Sequence, residues 1–107
     1  MSDDIRLFKL PTSEEVVAKV VKEEDDHYVL EKPRLCALRQ EQNPETGEIT
    51  GNFLVLMPWM VYATDPTNGT EQDIKLAKNM VLGEAVHTPG AIESEWLHVT
   101  SSIQLLS

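Results

Sequence analysis

The N-terminal part of the chain has the pattern of two short strands joined by a turn. Residues 5–10 are rich in apolar side chains, and Pro11 ends this segment. The polar residues 12–15 that follow predict a turn. The run at 16–21 is rich in β-branched side chains, which is typical of a strand. The acidic residues 23–26 then indicate a loop before the next strand.

The middle of the chain predicts a hairpin and then an unusually apolar segment. A third strand begins near Tyr28 and meets Pro33, which indicates a bend or an edge position because proline has no N–H to donate. The turn residues at 43–47 predict a hairpin whose loop covers residues 40–52. Residues 53–63 are apolar without alternation, so both faces of this strand need cover.

The remaining residues predict one or two further strands. A second cluster of turn residues at 65–69 leads to Ile74 and Leu76, which alternate with charged neighbours. Short apolar runs follow at 80–82 and 85–86, separated by Gly83. We interpret this part of the chain as short strands joined by turns.

The C-terminal extension, residues 88–107, is predicted to be helical. Thr88 and Pro89 resemble a helix start, with the hydroxyl group as the cap and proline in the first turn. The later apolar residues recur at spacings of four, three and four, which is the helical period. These residues are Ile92, Trp96, Val99 and Ile103.

These elements predict a single, mostly β domain over residues 1–107. Five or six closely spaced strands favour an antiparallel sheet or a small barrel, with a short helix at the C-terminus. A domain of 107 residues has little room to cover both faces of an apolar strand. We therefore expect a neighbouring subunit to supply one of the covers. The residues expected at this interface are Leu56, Pro58, Trp59, Val61, Tyr62 and Val81.

Charge and composition restrict the partners of the protein. The formal net charge is -9, which repels phosphate and disfavours non-specific binding to nucleic acid. Cys36 is the only cysteine and lies in an apolar run, so we interpret it as a core side chain. The first residues lack the pattern of a signal peptide, and the longest apolar run is too short to span a bilayer. We expect a cytoplasmic protein with no membrane partner.

The sequence contains no recognisable catalytic motif. The three histidines lack metal-ligand spacing, and neither a phosphate-binding glycine loop nor a nucleophile elbow is present. We therefore expect neither an enzyme, nor a cofactor, nor a metal site. A hydrolase that uses Asp26 and His27 remains an alternative, and it predicts the loss of an activity in His27→Ala.

Residues 5–20 resemble the opening of Sm-like proteins, in which a strand, a tight turn and a second strand precede an Asp-containing loop. Residues 25–31, with the sequence DDHYVLE, are similar to that loop and the third strand. Residues 80–86 are similar to the second motif of the family. The run through Pro58 and Trp59 also resembles small uncharacterised proteins of marine tailed phages.

The resemblance implies a strongly bent Sm-like barrel whose edge strands pair between subunits to form a homo-oligomeric ring. Five to seven copies are consistent with the family, and we favour a pentamer in the cytoplasm of a host cell. Single-stranded RNA is the implied partner, and the positions that carry over as its contacts are Asp25, Asp26, His27 and Gly83. Three departures weaken the RNA contacts more than the ring: Thr12-Ser13 replaces glycine, His27 replaces asparagine, and Leu82 replaces a basic residue. The alternative is a structural or scaffolding oligomer of phage origin that does not bind nucleic acid.

Overall fold

The computed structural model describes the backbone of residues 4–60, 63 and 70–106, and the side chains of these residues up to 101. The described part of the chain forms six strands and a C-terminal helix. These are β1 (Ile5–Lys9), β2 (Glu15–Glu23), β3 (His27–Gln42), β4 (Ile49–Pro58), β5 (Ile74–Ala77), β6 (Gly83–Glu84) and α1 (Gly90–Leu106). A short 3-10 turn at Lys78–Met80 lies between β5 and β6. The predicted mostly β chain with a C-terminal helix is confirmed.

The strands form one antiparallel sheet in the order β4-β3-β2-β1-β6. β5 pairs with residues 27–30 of β3, and β4 pairs with residues 34–42 of the same strand. Because β2 occupies the opposite edge of β3, β4 and β5 share one edge in succession. The sheet is not closed: β4 and β6 lie at its two ends, and no strand in the described ranges joins them.

β3 is a long strand that bends near its middle. Lys32 has a φ of 51°, which is unusual for a residue with a side chain, and Pro33 beside it is fully buried. The pairing of β2 with β3 shifts register between Val17 and Lys19 and again between Val20 and Lys22. Such irregularities bend a strand and increase its twist. The bend predicted at the proline is therefore present, but the strand continues through it.

β3 and β4 extend beyond the rest of the sheet as a two-stranded hairpin, which we call the arm (residues 38–53). Every residue of the arm is exposed except Asn43 and Gly51, which are half-buried. The turn between the strands covers only residues 43–48, so the loop predicted at 40–52 was too long. Asn43 accepts the backbone N–H of Gly47 at 2.7 Å, and Gly47 adopts the left-handed conformation that glycine tolerates.

Two hydrophobic cores lie on opposite faces of the sheet, because side chains alternate along each strand. The strand core consists of Phe8, Leu10, Val16, Ala18, Tyr28, Leu30 and Leu76. The helix core consists of Ile5, Val17, Leu56 and Trp96. The neighbours Val16 and Val17 illustrate the alternation, since both are fully buried but belong to different cores. Apolar side chains on both faces of the sheet are thus buried within one chain.

Helix α1 packs on the face of the sheet that carries the helix core. It does so through the apolar residues whose spacing predicted the helix. Ile92, Trp96 and Val99 contact the helix core, whereas the side chain of Ile103 lies outside the described ones. The indole Nε1 of Trp96 donates a hydrogen bond to the carbonyl oxygen of Lys32 at 2.9 Å. This hydrogen bond connects the helix to the bend of β3.

One local prediction was wrong, and another was right only in part. The hydroxyl of Thr88 does not cap the helix: it donates to the carbonyl oxygen of Ile5 at 2.6 Å, and the helix begins at Gly90. The one or two strands predicted after the second turn are β5 and β6, but β6 is formed by Gly83–Glu84 and not by the apolar runs at 80–82 and 85–86. The turn predicted at 65–69 lies outside the described residues.

Candidate functional site

The acidic loop between β2 and β3 carries three of the four predicted RNA contacts. Asp25 and Asp26 lie in this loop, and His27 is the first residue of β3. The Nδ1 atom of His27 lies 2.7 Å from a carboxylate oxygen of Asp26. Because a carboxylate only accepts, Nδ1 carries the proton of this hydrogen bond. The bond holds the pKa of Asp26 below its ordinary value.

The loop lies beside the 3-10 turn that precedes β6. The backbone N–H of Lys78 donates to the carbonyl oxygen of Asp26 at 2.9 Å, and His27 pairs with Ala77 of β5. The side chain of Lys78 reaches Glu23 at the end of β2, with 2.8 Å between Nζ and Oε2. Two segments that are distant in sequence thus form one surface.

A row of alternating charges, which we call the charge chain, connects this surface with β6. It runs from Lys78 to Glu23, then to Arg6 at 3.4 Å, and ends at Glu84, where Arg6 makes two contacts of 2.6 and 3.1 Å. The guanidinium of Arg6 also stacks on the ring of Tyr28, 5.1 Å from its centroid. The hydrogen bond from Lys78 lowers the pKa of Glu23, and Glu84 raises the pKa of Arg6.

These ion pairs limit what the surface can bind. Lys22, Lys78 and Arg6 each hold a carboxylate already, and the loop itself adds Asp25 and Asp26. A phosphate group would have to displace a glutamate and approach the carboxylates of Asp25 and Asp26. The local electrostatics are therefore unfavourable for a polyanion.

Gly83 lies apart from the acidic loop, at the start of β6 and opposite Lys9 of β1. A Cβ atom added at Gly83 would meet no atom within 4 Å, and its φ is not positive. Within one copy, therefore, no steric reason requires glycine at this position. Within the described residues, the charge chain links it to the loop through its neighbour Glu84.

The predicted interface residues occupy different environments. Leu56 is buried in the helix core, so the chain itself covers this side chain. Trp59 and Val81 pack against the strand core, and the indole Nε1 of Trp59 donates to Glu14 at 3.4 Å. Pro58 is exposed at the end of β4. Val61 and Tyr62 lie outside the described residues.

The two ends of the sheet carry exposed apolar side chains that are not among the predicted interface residues. β4, with the sequence ITGNFLVLMP, contains no charged residue, and Ile49 and Phe53 are 51% and 48% exposed. On each side of β6, Leu82 is 69% and Val86 is 90% exposed. Phe53, the first residue of the apolar run that predicted an interface, is thus only partly covered by its own chain.

An apolar groove of about 480 Å³ lies where the arm joins the body of the protein. Leu7, Cys36, Leu38, Leu54, Ala91 and Ile92 line it. Cys36 is half-buried there, not fully enclosed as the sequence suggested. Burial and the nearby carboxylate of Glu15 raise the pKa of its thiol to about 11, so the thiol is protonated at neutral pH.

No family model matches the chain, and no curated protein is similar enough to count as a relative. Among the described residues, no group of three or more His, Cys, Asp or Glu side chains could hold a metal ion. No helix within these ranges is long and apolar enough to cross a membrane.

Proposed function

We propose that the protein is a non-enzymatic, Sm-like assembly module whose copies join edge to edge into a homo-oligomeric ring. The observation that carries this proposal is the uncharged edge of β4. A strand edge presents unpaired N–H and C=O groups, and proteins usually protect an edge that remains free with charged side chains or proline. β4 has a proline only at its last residue and has half-exposed Phe53 within it. Such an edge is suited to pairing with another strand.

The other end of the sheet offers a complementary edge. β6 pairs with β1 on one side, and no other described strand pairs with it. The exposed Leu82 and Val86 flank this short strand. Pairing β4 of one copy with β6 of the next would extend the sheet across the boundary and bury these apolar side chains. Because the two edges differ, the contact is head to tail, and repeating it closes a ring or extends a filament.

Local geometry supports the Sm-like part of the proposal. A strand, a tight turn, a second strand, an acidic loop and a third strand follow one another as the resemblance implies. In the tight turn, Ser13 adopts a φ of 75°, a conformation that favours glycine. The family prefers glycine at this turn. The bend of β3 agrees with a strongly curved sheet.

The geometry favours a structural ring that does not bind nucleic acid over a ring that binds RNA. The cations of the charge chain are paired, and the loop that carries Asp25 and Asp26 is acidic. RNA remains the second candidate, because the hydrogen bond from Lys78 to Asp26 joins the acidic loop to the 3-10 turn that leads into the second motif at residues 80–86. Filter binding with U-rich and A-rich single strands at low salt separates the two forms. Binding that His27→Ala abolishes would support the RNA form, whereas no binding at high micromolar protein would exclude it.

Light scattering on the purified protein tests the assembly itself. The wild-type protein is expected to have a mass of several copies at micromolar concentration. Val86→Asp adds a charge beside β6 and is expected to lower this mass, because a buried charge without a partner is costly. Leu97→Asp on the exposed face of α1 is the matched control and should leave the mass unchanged. A monomeric wild-type protein, or equal masses for both variants, would contradict the proposal.

A further inference from the structure

The two edges that the proposed ring brings together differ in length. β4 has ten residues, or roughly 33 Å at about 3.3 Å per residue. The segment 82–86 around β6 spans only about half of that, roughly 17 Å. One neighbour can therefore pair with the body half of β4, residues 54–58, and leaves the arm half, residues 49–53, without a partner.

The two free edges of the arm differ in charge. The pairing of β2 with β3 ends at Leu35, so β3 also has a free edge along the arm. That strand carries Arg39 and Glu41, whereas residues 49–53 of β4 carry no charge. Since charged side chains are a common means of keeping an edge strand unpaired, only the β3 edge of the arm has this protection.

The arm also gains little support from the rest of its own chain. Residues 38–53 are exposed except for the half-buried Asn43 and Gly51, and a two-stranded hairpin alone is at best marginally stable in water. Its apolar side chains include Leu38, Ile49 and Phe53, which are 73%, 51% and 48% exposed. The arm is therefore suited to binding another molecule.

We infer that the β4 edge of the arm, residues 49–53, pairs antiparallel with the same edge of a second copy, outside the β4–β6 contact. A second copy fits because the pairing is two-fold symmetric, and like segments without charge do not repel each other. For a protein with a net charge of -9, this uncharged edge is a place where two copies can approach with little repulsion. This inference depends on the proposed ring in one respect: the ring contact is what occupies residues 54–58 of β4. Pairing through the arms then joins two rings.

Mass measurements by light scattering separate the arm contact from the ring contact. Ile49→Lys/Phe53→Lys places two charges on the β4 edge, and the mass is expected to fall to half that of the wild type. Leu38→Lys/Gln40→Lys adds the same charge to the β3 strand of the arm and should retain the wild-type mass. Val86→Asp, which targets the ring contact, should leave arm-paired dimers.

Each result has a defined consequence. An unchanged mass for Ile49→Lys/Phe53→Lys would overturn the arm contact. Halving by this variant, together with no effect of Val86→Asp, would support the arm contact and refute the ring contact. Because all four substituted arm positions are exposed, the fold of each chain should be retained, and circular dichroism checks this.

Disulfide trapping gives a second readout that does not depend on assembly energetics. In a Cys36→Ser background, Gly51→Cys puts one thiol near the centre of the proposed pairing, where an added Cβ atom meets no atom within 4 Å. Mild oxidation should link the chains in pairs, because two-fold pairing brings these residues within disulfide distance. Gln40→Cys on the β3 strand should remain unlinked. Equal linking of both variants, or linking of neither, would overturn the proposal.

Discussion

Arg34 of β3 and Glu71 form an ion pair with two contacts, 2.9 Å between Nη1 and Oε2 and 3.1 Å between Nη2 and Oε1. Their side chains are only 12% and 14% exposed. Nη1 of Arg34 also donates to the carbonyl oxygen of Pro33, so the guanidinium is held on both sides. The pair ties the chain between β4 and β5 to the bend of β3.

Removing one partner of this pair should destabilise the protein. Glu71→Ala leaves the nearly buried guanidinium of Arg34 without its carboxylate, and we expect the free energy of unfolding to fall by about 1.5–3 kcal/mol. Urea denaturation measures this loss, with the exposed Glu45→Ala at the tip of the arm as control. In the double variant with Arg34→Ala, the losses should be less than additive. Strict additivity would mean that the two side chains do not interact.

Glycine at position 13 should stabilise the tight turn between β1 and β2. Ser13 has a φ of 75°, and a residue with a side chain in this region costs on the order of 1 kcal/mol relative to glycine. Ser13→Gly is therefore expected to raise the melting temperature. Thr12→Gly, which replaces a residue without a positive φ, should lower it, because glycine adds freedom to the unfolded chain. A lower melting temperature for Ser13→Gly would contradict the assigned turn conformation.

The contact of Trp96 with β3 can be separated from its packing. Trp96→Phe keeps an aromatic ring in the helix core but removes the hydrogen bond to Lys32, which should cost about 1 kcal/mol. Trp96→Ala removes the packing as well and should cost about 3–5 kcal/mol. Chemical unfolding measures both values, and Leu97→Ala on the exposed side of α1 is the control. Equal losses for the two Trp96 variants would show that packing is unimportant.

Acid should weaken the charge chain at Glu23. Its pKa is lowered from the ordinary value of 4.5 by the hydrogen bond from Lys78. The unfolded state then binds the proton at higher pH than the folded state does, so this stabilisation is fully present above pH 4.5 and is lost as the pH falls through the lowered pKa. Wild type and Glu23→Gln should therefore differ in urea midpoint at neutral pH and converge in acid. A difference that stays constant from pH 7 to strongly acidic conditions would rule out this role.

Cys36 should react slowly with alkylating reagents while the chain is folded. Its pKa is raised from 9.0 to about 11, so the thiolate fraction at pH 8 is about a hundredfold lower than that of an unperturbed thiol. Unfolding in urea should restore the ordinary rate. Glu15→Gln removes the nearby negative charge and should increase the rate in the folded state. A folded wild-type rate equal to the unfolded one would contradict the assigned environment.

The sequence predicted the features that depend on neighbouring residues. β-branched runs, turn residues and the spacing of Ile92, Trp96 and Val99 located the first strands, the hairpin and the helix, because these signals are local. The two faces of the sheet were harder to assign. The continuous apolar pattern of β4 indicated two covered faces, but its own helix covers Leu56, and only part of the strand is left for a neighbour.

The contacts that organise the candidate site join distant positions and leave no periodic signal. Arg6 and Glu84 are 78 residues apart, and nothing near either residue indicates the other. Thr88 was predicted to cap the helix, but its hydroxyl donates to the carbonyl of Ile5 on the distant strand β1. The left-handed conformation of Lys32 was also missed, because no turn residue occupies that position. The first two contacts join β1 to the segment at 84–88, and the conformation of Lys32 belongs to the bend of β3.

The indole of Trp96 finds its acceptor only when the backbone has already turned at Lys32. A straight third strand would aim that carbonyl elsewhere, so helix docking and strand curvature depend on the same event. Fluctuations that release the C-terminal helix should therefore also relax the middle of β3, and amide protons from both segments should exchange with solvent together. Curvature in this sheet is thus sustained by an element outside it.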